Sequence, residues 1–261
     1  MEFNCQQDAL SVLQKLADRR CRSVLISGTT GSGKSWLGKQ YATMLGISDY
    51  AKVEPTVAAI RDIQDMCSNL TTPLVVIIEN LDLGVAGAAY TLLKFLEEPQ
   101  DNIYIVVTVR NLYMIPDTIV SRCQVVWTSE PRNSDIVEFA QKPDSYKYDR
   151  IKDTVPFLAC ASFSDVLQVY DMSSQQLDYL SKLPEVLQAP ENVSNIVWKL
   201  GHYADNSATP LEFVIRILIK QLDDARVFAI GRKCLQDLSA SRIAAHAVLA
   251  KFVMDCRYGQ R

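Results

Sequence analysis

Apolar positions along the first 130 residues repeat with two alternating periods. Between Gln6 and Arg20, the residues Ala9, Leu10, Leu13, Leu16 and Ala17 fall on one face of a 3.6-residue period, which predicts a helix. SVLIS at 23–27 is a short apolar run ending at Gly28 and predicts a buried strand, with a helix at 34–45 after it. A second helical pattern covers 57–66. LVVII at 74–78 and IYIVVTV at 103–109 are near-continuous β-branched runs. That composition suits strands buried on both faces of a parallel sheet. Between them, 86–98 reads as a helix closed by Pro99, and QVVW at 124–127 adds a strand. Strand and helix in alternation predict a three-layer α/β domain with a mostly parallel sheet over residues 1–130.

Beyond Pro131 no strong strand run remains. The patterns at 133–141, 147–160, 164–171, 174–182, 191–205, 209–223, 225–237 and 241–256 are all helical. Pro143, Pro156, Pro184, Pro190 and Pro210 punctuate them, and Asn133, Ser164, Ser173 and Ser241 are the expected N-caps. This half is expected to be all-α, in two bundles at 131–183 and 184–261.

Composition narrows the setting. An apolar fraction of 48 % with 22 % charged residues excludes a disordered or low-complexity chain. The longest apolar run, 74–78, is far short of the roughly 20 residues of a membrane span, and MEFNCQQDAL lacks the pattern of a secretory signal. A cytoplasmic protein without membrane partners is expected. The net charge of −3 is too low for a protein that coats DNA nonspecifically, so nucleic-acid contact would come from a local patch or an assembly. Seven cysteines, none within a C-x-x-C pair, read as reduced and mostly buried thiols, with no zinc site. His202 and His246, the two histidines, read as surface or packing residues.

The most specific local signal is Gly28-Thr29-Thr30-Gly31-Ser32-Gly33-Lys34-Ser35, which fits G-x-x-x-x-G-K-[ST] at every fixed position, with a strand before it and a helix after it. Glycines let successive N–H groups turn inward onto phosphate oxygens, and the helix adds its positive N-terminal end. Lys34 would bridge the β- and γ-phosphates of ATP, and the Ser35 hydroxyl would ligate Mg²⁺. The plainer reading is a glycine-rich turn without a ligand.

LLKFLEEP at 92–99 and IPDTIVSRC at 115–123 narrow the class further. With these two motifs in this order behind the phosphate loop, and Gln6-Gln7 ahead of its strand, the chain resembles the AAA+ clamp-loader ATPases. These include the gamma and delta-prime subunits of bacterial DNA polymerase III and replication factor C. The likeness covers residues 1 to about 130 well and the helical remainder in outline. It implies an AAA+ P-loop domain followed by an all-α lid (131–183) and an all-α collar (184–261). Within the S-R-C motif it implies that Arg122 is an arginine finger acting in trans on a neighbouring subunit's ATP. Such fingers are worth on the order of 10³–10⁵ in rate. Outside such a motif, Arg122 would read as a surface ion-pair arginine. Glu97 and Glu98 read as helix-end interface residues or as a solvated acidic turn.

This chain also departs from that pattern. The family's buried strand ends in Asp-Glu, and its spacing places Glu79 at the Mg²⁺-holding Asp and Asn80 at the Glu that activates water. Asn80 cannot accept a proton, although its amide can orient a water. Asp82 is a substitute if the loop bends suitably. The first sensor, usually Thr or Asn, falls on Arg110 or, with a one-residue slip, on Asn111. The second sensor, an arginine, is missing near 162–165, where Asp165 would face phosphates unfavourably. The zinc insert of many bacterial members is absent between 36 and 74, which would suit a diverged, phage-encoded member.

The resemblance therefore implies an ATP- and Mg²⁺-binding clamp-loader subunit that joins other subunits in a pentameric ring and loads a sliding clamp onto primer-template DNA during replication. Lys34, Ser35 and Glu79 would hold the nucleotide. Phosphates rather than bases would be contacted, with Arg61 a candidate or simply a solvated arginine. The alternatives are a stator that supplies Arg122 in trans without turning over ATP, or another AAA+ ring motor such as a branch-migration helicase.

Overall fold

The β-branched runs lie side by side in one parallel sheet. In the computed structural model, residues 4–97, 100–142, 145–183, 185, 193–206, 211–222, 224–239 and 245–258 are described. They divide into two units, 1–135 and 136–261.

The first unit runs α1 (Gln7–Asp18), β1 (Ser23–Ser27), α2 (Lys34–Met44), β2 (Tyr50–Val53), α3 (Val57–Ser68), β3 (Leu74–Ile78), α4 (Ala86–Glu97), β4 (Ile103–Val109), α5 (Asp117–Val120) and β5 (Gln124–Trp127). Its five strands are ordered β2-β3-β4-β1-β5, and every neighbouring pair is parallel. Alternate residues of each inner strand serve opposite faces. Val76 and Ile78 of β3 pack with Ile60 and Ile63 of α3 and Leu92 of α4. Val75 and Ile77 pack with Leu13 of α1 and with Leu37 and Tyr41 of α2. The result is the three-layer α/β domain read from the alternation.

β2 goes beyond the sequence reading. YAKV is short, and as an edge strand it is mostly exposed, so it carries no apolar run to betray it. Its partner is β3, with Lys52 opposite Ile77 and Val53 opposite Ile78.

The second unit is helical throughout its described residues. It holds α6 (Asn133–Gln141, which begins in the first unit), α7 (Ser145–Ile151), α8 (Val155–Leu158), α9 (Phe163–Asp171), α10 (Ser174–Ser181), α11 (Val193–Asn206), α12 (Leu211–Leu222), α13 (Ala225–Ser239) and α14 (Ala245–Tyr258). The single helix expected at 147–160 is broken, because the Thr154 hydroxyl caps a new start at Val155 and Pro156 sits in that first turn. Two expected caps shift. Ser162, not Ser164, caps α9 in a reciprocal box with Asp165. Asn133 lies inside α6, where the Asp135 carboxylate reaches back to the Arg132 N–H (2.8 Å). Ser173 does cap α10, bonding to the Gln176 N–H while Gln176 returns a bond to its own. α12 is the buried centre, with Phe213, Val214, Ile215, Ile217 and Leu218 all enclosed, and it touches both α8 and α10. The Gln221 amide donates to the Ser181 carbonyl (2.7 Å), and Arg216 pairs with Asp165 (2.9 Å). Glu98, Pro99, Pro143, Pro184, Pro190, Pro210, Ser241 and, of the break expected near 183–190, all but Leu183 and Glu185 lie outside the described residues.

Candidate functional site

β1 delivers the chain to Gly28 at the carboxyl end of the sheet, and the loop turns from there into α2. Gly31 and Gly33 have φ of 74° and 97°, the left-handed region that side chains disfavour. Gly28 is required for a different reason. A Cβ there would stand 1.7 Å from the Thr128 hydroxyl, which itself donates to Ser32 Oγ (2.9 Å). Gln6 clamps the far side of the loop. Its fully buried amide donates to the carbonyls of Ser32 (3.0 Å) and Ser129 (2.7 Å) and accepts from the Ser129 N–H (3.1 Å). Thr29 and Thr30 are the exposed tip.

Lys34, the first residue of α2, is 6 % exposed and curls into the loop. Its ammonium donates to the carbonyls of Gly28 (2.8 Å) and Thr29 (2.7 Å). Burial pushes its pKa down to about 8, against the pull of the nearby Asp82 and with the push of Arg110. The free loop therefore holds a readily neutralised cation among loop carbonyls.

β3 carries Glu79 to the same edge, anchored by its N–H on the Val53 carbonyl (3.0 Å). Burial raises the Glu79 pKa, but hydrogen bonds from Lys52 and Ser35 and the charges of Lys52 and Lys39 outweigh it, so the carboxyl lies below its ordinary value. Lys52 reaches it at 2.6 Å from the edge strand. Ser35 and Glu79 are thus adjacent, a hydroxyl and a carboxylate whose hard oxygens suit Mg²⁺.

Asn80 follows in the left-handed region (φ 51°), with its N–H bonded to the buried Thr108 hydroxyl at 2.9 Å. Asp82 does not stand free as a base. Its side chain is 2 % exposed, and it accepts from the Arg110 N–H (3.0 Å) and from Arg110 Nε (3.3 Å). Arg110 is accordingly directed onto Asp82, while Asn111 caps the short turn Leu112–Met114. Sequence reading missed Gln6 as a clamp, and also Lys52, Thr108 and Thr128. Each acts through a partner 20 or more positions away, which no local pattern reveals.

Arg122 lies elsewhere. β5 is parallel to β1, with Val24 opposite Gln124 and Ser27 opposite Trp127. Gly28 follows the carboxyl end of that pairing and Arg122 precedes its amino end. The strand between is about 13 Å long at roughly 3.3 Å per residue. Arg122 donates to Glu97 Oε1 (2.6 Å) and to the Thr118 carbonyl (2.8 Å) and stays partly exposed. The neighbouring Cys123 is a packing residue, its thiol pushed up to about 12 by burial and, less, by Cys21.

Asp165 is committed to protein partners. Its carboxylate is held by the N–H groups of Ala161 (2.9 Å) and Ser162 (3.0 Å) and by Arg216. Arg61 is exposed on α3. Among the described residues, no three His, Cys, Asp or Glu side chains cluster as a metal site, and no helix is long and apolar enough to cross a membrane.

Residues 51–132 match the family described as DNA polymerase III, delta subunit. Among solved structures, a DNA polymerase III gamma subunit-related protein of Thermotoga maritima aligns over 97 % of this chain and 100 % of its own, at 17 % identity with a TM-score of 0.56. The RuvB Holliday junction branch migration motor of the same organism aligns over 82 % of this chain and 87 % of its own, at 14 % identity and 0.49. No curated protein matches the sequence. The matched segment is thus similar to a DNA polymerase III delta subunit, and the parallel sheet with its phosphate loop and the helices after it share the fold of the gamma subunit-related protein.

Proposed function

We propose that this chain is a nucleotide-binding subunit of a sliding-clamp loader, acting with other subunits of a pentameric ring on a clamp and primer-template DNA during replication in the cytoplasm. The observation that supports this reading is that the glycine loop and Arg122 lie at opposite ends of one sheet. The loop at Gly28–Ser35 is suited to this chain's own ATP. Arg122, at the other edge, cannot reach it and is suited to the ATP of a neighbour. In the loop, the N–H groups after Gly28 and the start of α2 would bind phosphate oxygens. Lys34 would exchange its two carbonyl partners for the β- and γ-phosphates, and Ser35 and Glu79 would hold a Mg²⁺ whose chemistry is to neutralise phosphate charge. Residues 131–183 serve as lid and 184–261 as collar.

A second reading is favoured by Asn80 and Asp82. Asn80 supplies an amide where a carboxylate would accept the water's proton, and Asp82 is committed to Arg110. The chain would then bind ATP and lend Arg122 while turning over little itself.

Lys34→Ala tests the nucleotide site. Calorimetric titration with Mg·ATP is expected to lose the binding seen with the wild type, because the phosphates lose their principal counter-ion. Equal affinity in the two proteins would overturn the site.

A further inference from the structure

The helical unit carries a cavity that the nucleotide reading does not use. It measures about 440 Å³ and is walled by α8, α12 and α13, a volume inside the roughly 300–1,000 Å³ of ligand pockets. Leu158, Ala159, Ile219, Phe228 and Leu235 form its apolar lining. Leu158 and Phe228 are 52 % and 57 % exposed, two large apolar side chains left facing solvent at one place. The other described lining residues are Arg216, Lys220 and Arg232, all cationic.

Among the described lining residues no acid balances this charge. Asp165, which pairs with Arg216, is buried and already accepts from the Ala161 and Ser162 N–H groups and from Arg216 itself. Even so, Arg216 Nε is buried without a hydrogen-bond acceptor. Asp224 lines only the smaller hollow beside it, with Ile219, Ala225 and Phe228, and its carboxylate accepts from the Arg226 N–H (2.7 Å). A ligand that matched this lining would bring apolar bulk for the floor and acceptors for the cations.

We propose that this groove docks a peptide segment of a protein partner, one that combines acidic side chains with a large apolar anchor. The anchor fills the cavity against Phe228, Ile219 and Leu158. Its flanking carboxylates meet Lys220 and Arg232 at the exposed rim and Arg216 deeper in. Rim charges of this kind steer and select the partner, while the buried anchor supplies most of the affinity.

The test is a selection of phage-displayed random dodecapeptides on the full chain. A synthetic copy of the most enriched peptide is then titrated against the wild type, Lys220→Glu/Arg232→Glu and Phe228→Ser. Enriched peptides are expected to pair Asp or Glu with Leu, Phe or Trp. The charge reversal is expected to weaken the synthetic peptide by about tenfold or more, and added salt to weaken it on the wild type. Lys220 and Arg232 are exposed, so the reversal leaves the fold intact, which circular dichroism and unchanged Mg·ATP affinity verify. Three results would overturn the proposal: no enrichment, enrichment of basic or uncharged sequences, or affinities indifferent to all the substitutions. A fourth is sedimentation showing that the wild type self-associates and Phe228→Ser does not, which would assign the groove to a second copy of this chain.

Discussion

Lys34 shows how one residue's surroundings set a measurable response. Its ammonium is desolvated among carbonyls and titrates at about 8, lowered from the ordinary lysine value. As pH rises through about 8, the free loop loses its cation. Bound phosphate favours the charged form and raises the pKa again. Binding of Mg·ATP at pH 8 is therefore expected to take up protons, and affinity is expected to fall above it. Calorimetry in two buffers of different ionisation enthalpy measures the uptake, which Lys34→Met should abolish. Asn80 makes the complementary case. Its backbone is left-handed, a conformation Asn tolerates better than Glu, by about 1 kcal/mol. Asn80→Glu thus loses a little stability but restores a proton acceptor beside the loop. Turnover by the assembled ring should rise on the order of 10²-fold. A rate unchanged from wild type would place the shortfall at Arg110 and Asp82 instead.

Elements rather than residues hold the loop in place. Gln6, in the turn ahead of α1, ties the loop after β1 to the segment after β5, its buried side chain making three bonds. Gln6→Ala leaves the Ser32 and Ser129 groups without that partner. At about 1–3 kcal/mol for a stranded buried group, it should cost around 3 kcal/mol in urea unfolding and weaken nucleotide binding too. A loss below about 0.5 kcal/mol would show that the clamp is not structural. The same contacts mark the limit of what the sequence discloses. β1, β3 and β4 are readable because burial on both faces demands unbroken apolar runs, β5 because its edge strand still carries the apolar run at 125–127, and the phosphate loop because its requirements are local. β2, the other edge, is hidden because Lys52 interrupts its short run. Lys52 on Glu79, Arg110 on Asp82 and Gln6 on Ser129 depend on strand order and register, and become visible only once the sheet is assembled. The helical half follows the same rule, since its periodicity locates helices but not the cap at Thr154 or the pairing of Arg216 with Asp165.

At the scale of the whole molecule, the sheet divides the labour. Its carboxyl edge collects Lys34, Ser35, Glu79 and the Asp82–Arg110 pair around one loop. Its amino edge presents Arg122, steadied by Glu97 and by the Thr118 carbonyl. If the proposal holds, the phosphate loop serves this chain's own nucleotide and Arg122 a neighbour's. Glu97 holds Arg122 on a partly exposed surface, where such an ion pair is worth about 1 kcal/mol or less. The most direct test is the ATP turnover of the reconstituted ring, with its clamp and primed DNA, when this subunit carries Arg122→Ala. Turnover is predicted to fall by on the order of 10³ while this chain's own Mg·ATP affinity stays at the wild-type value. Unchanged turnover, or a matching loss of its own affinity, would contradict the placement of Arg122 at a neighbour's site.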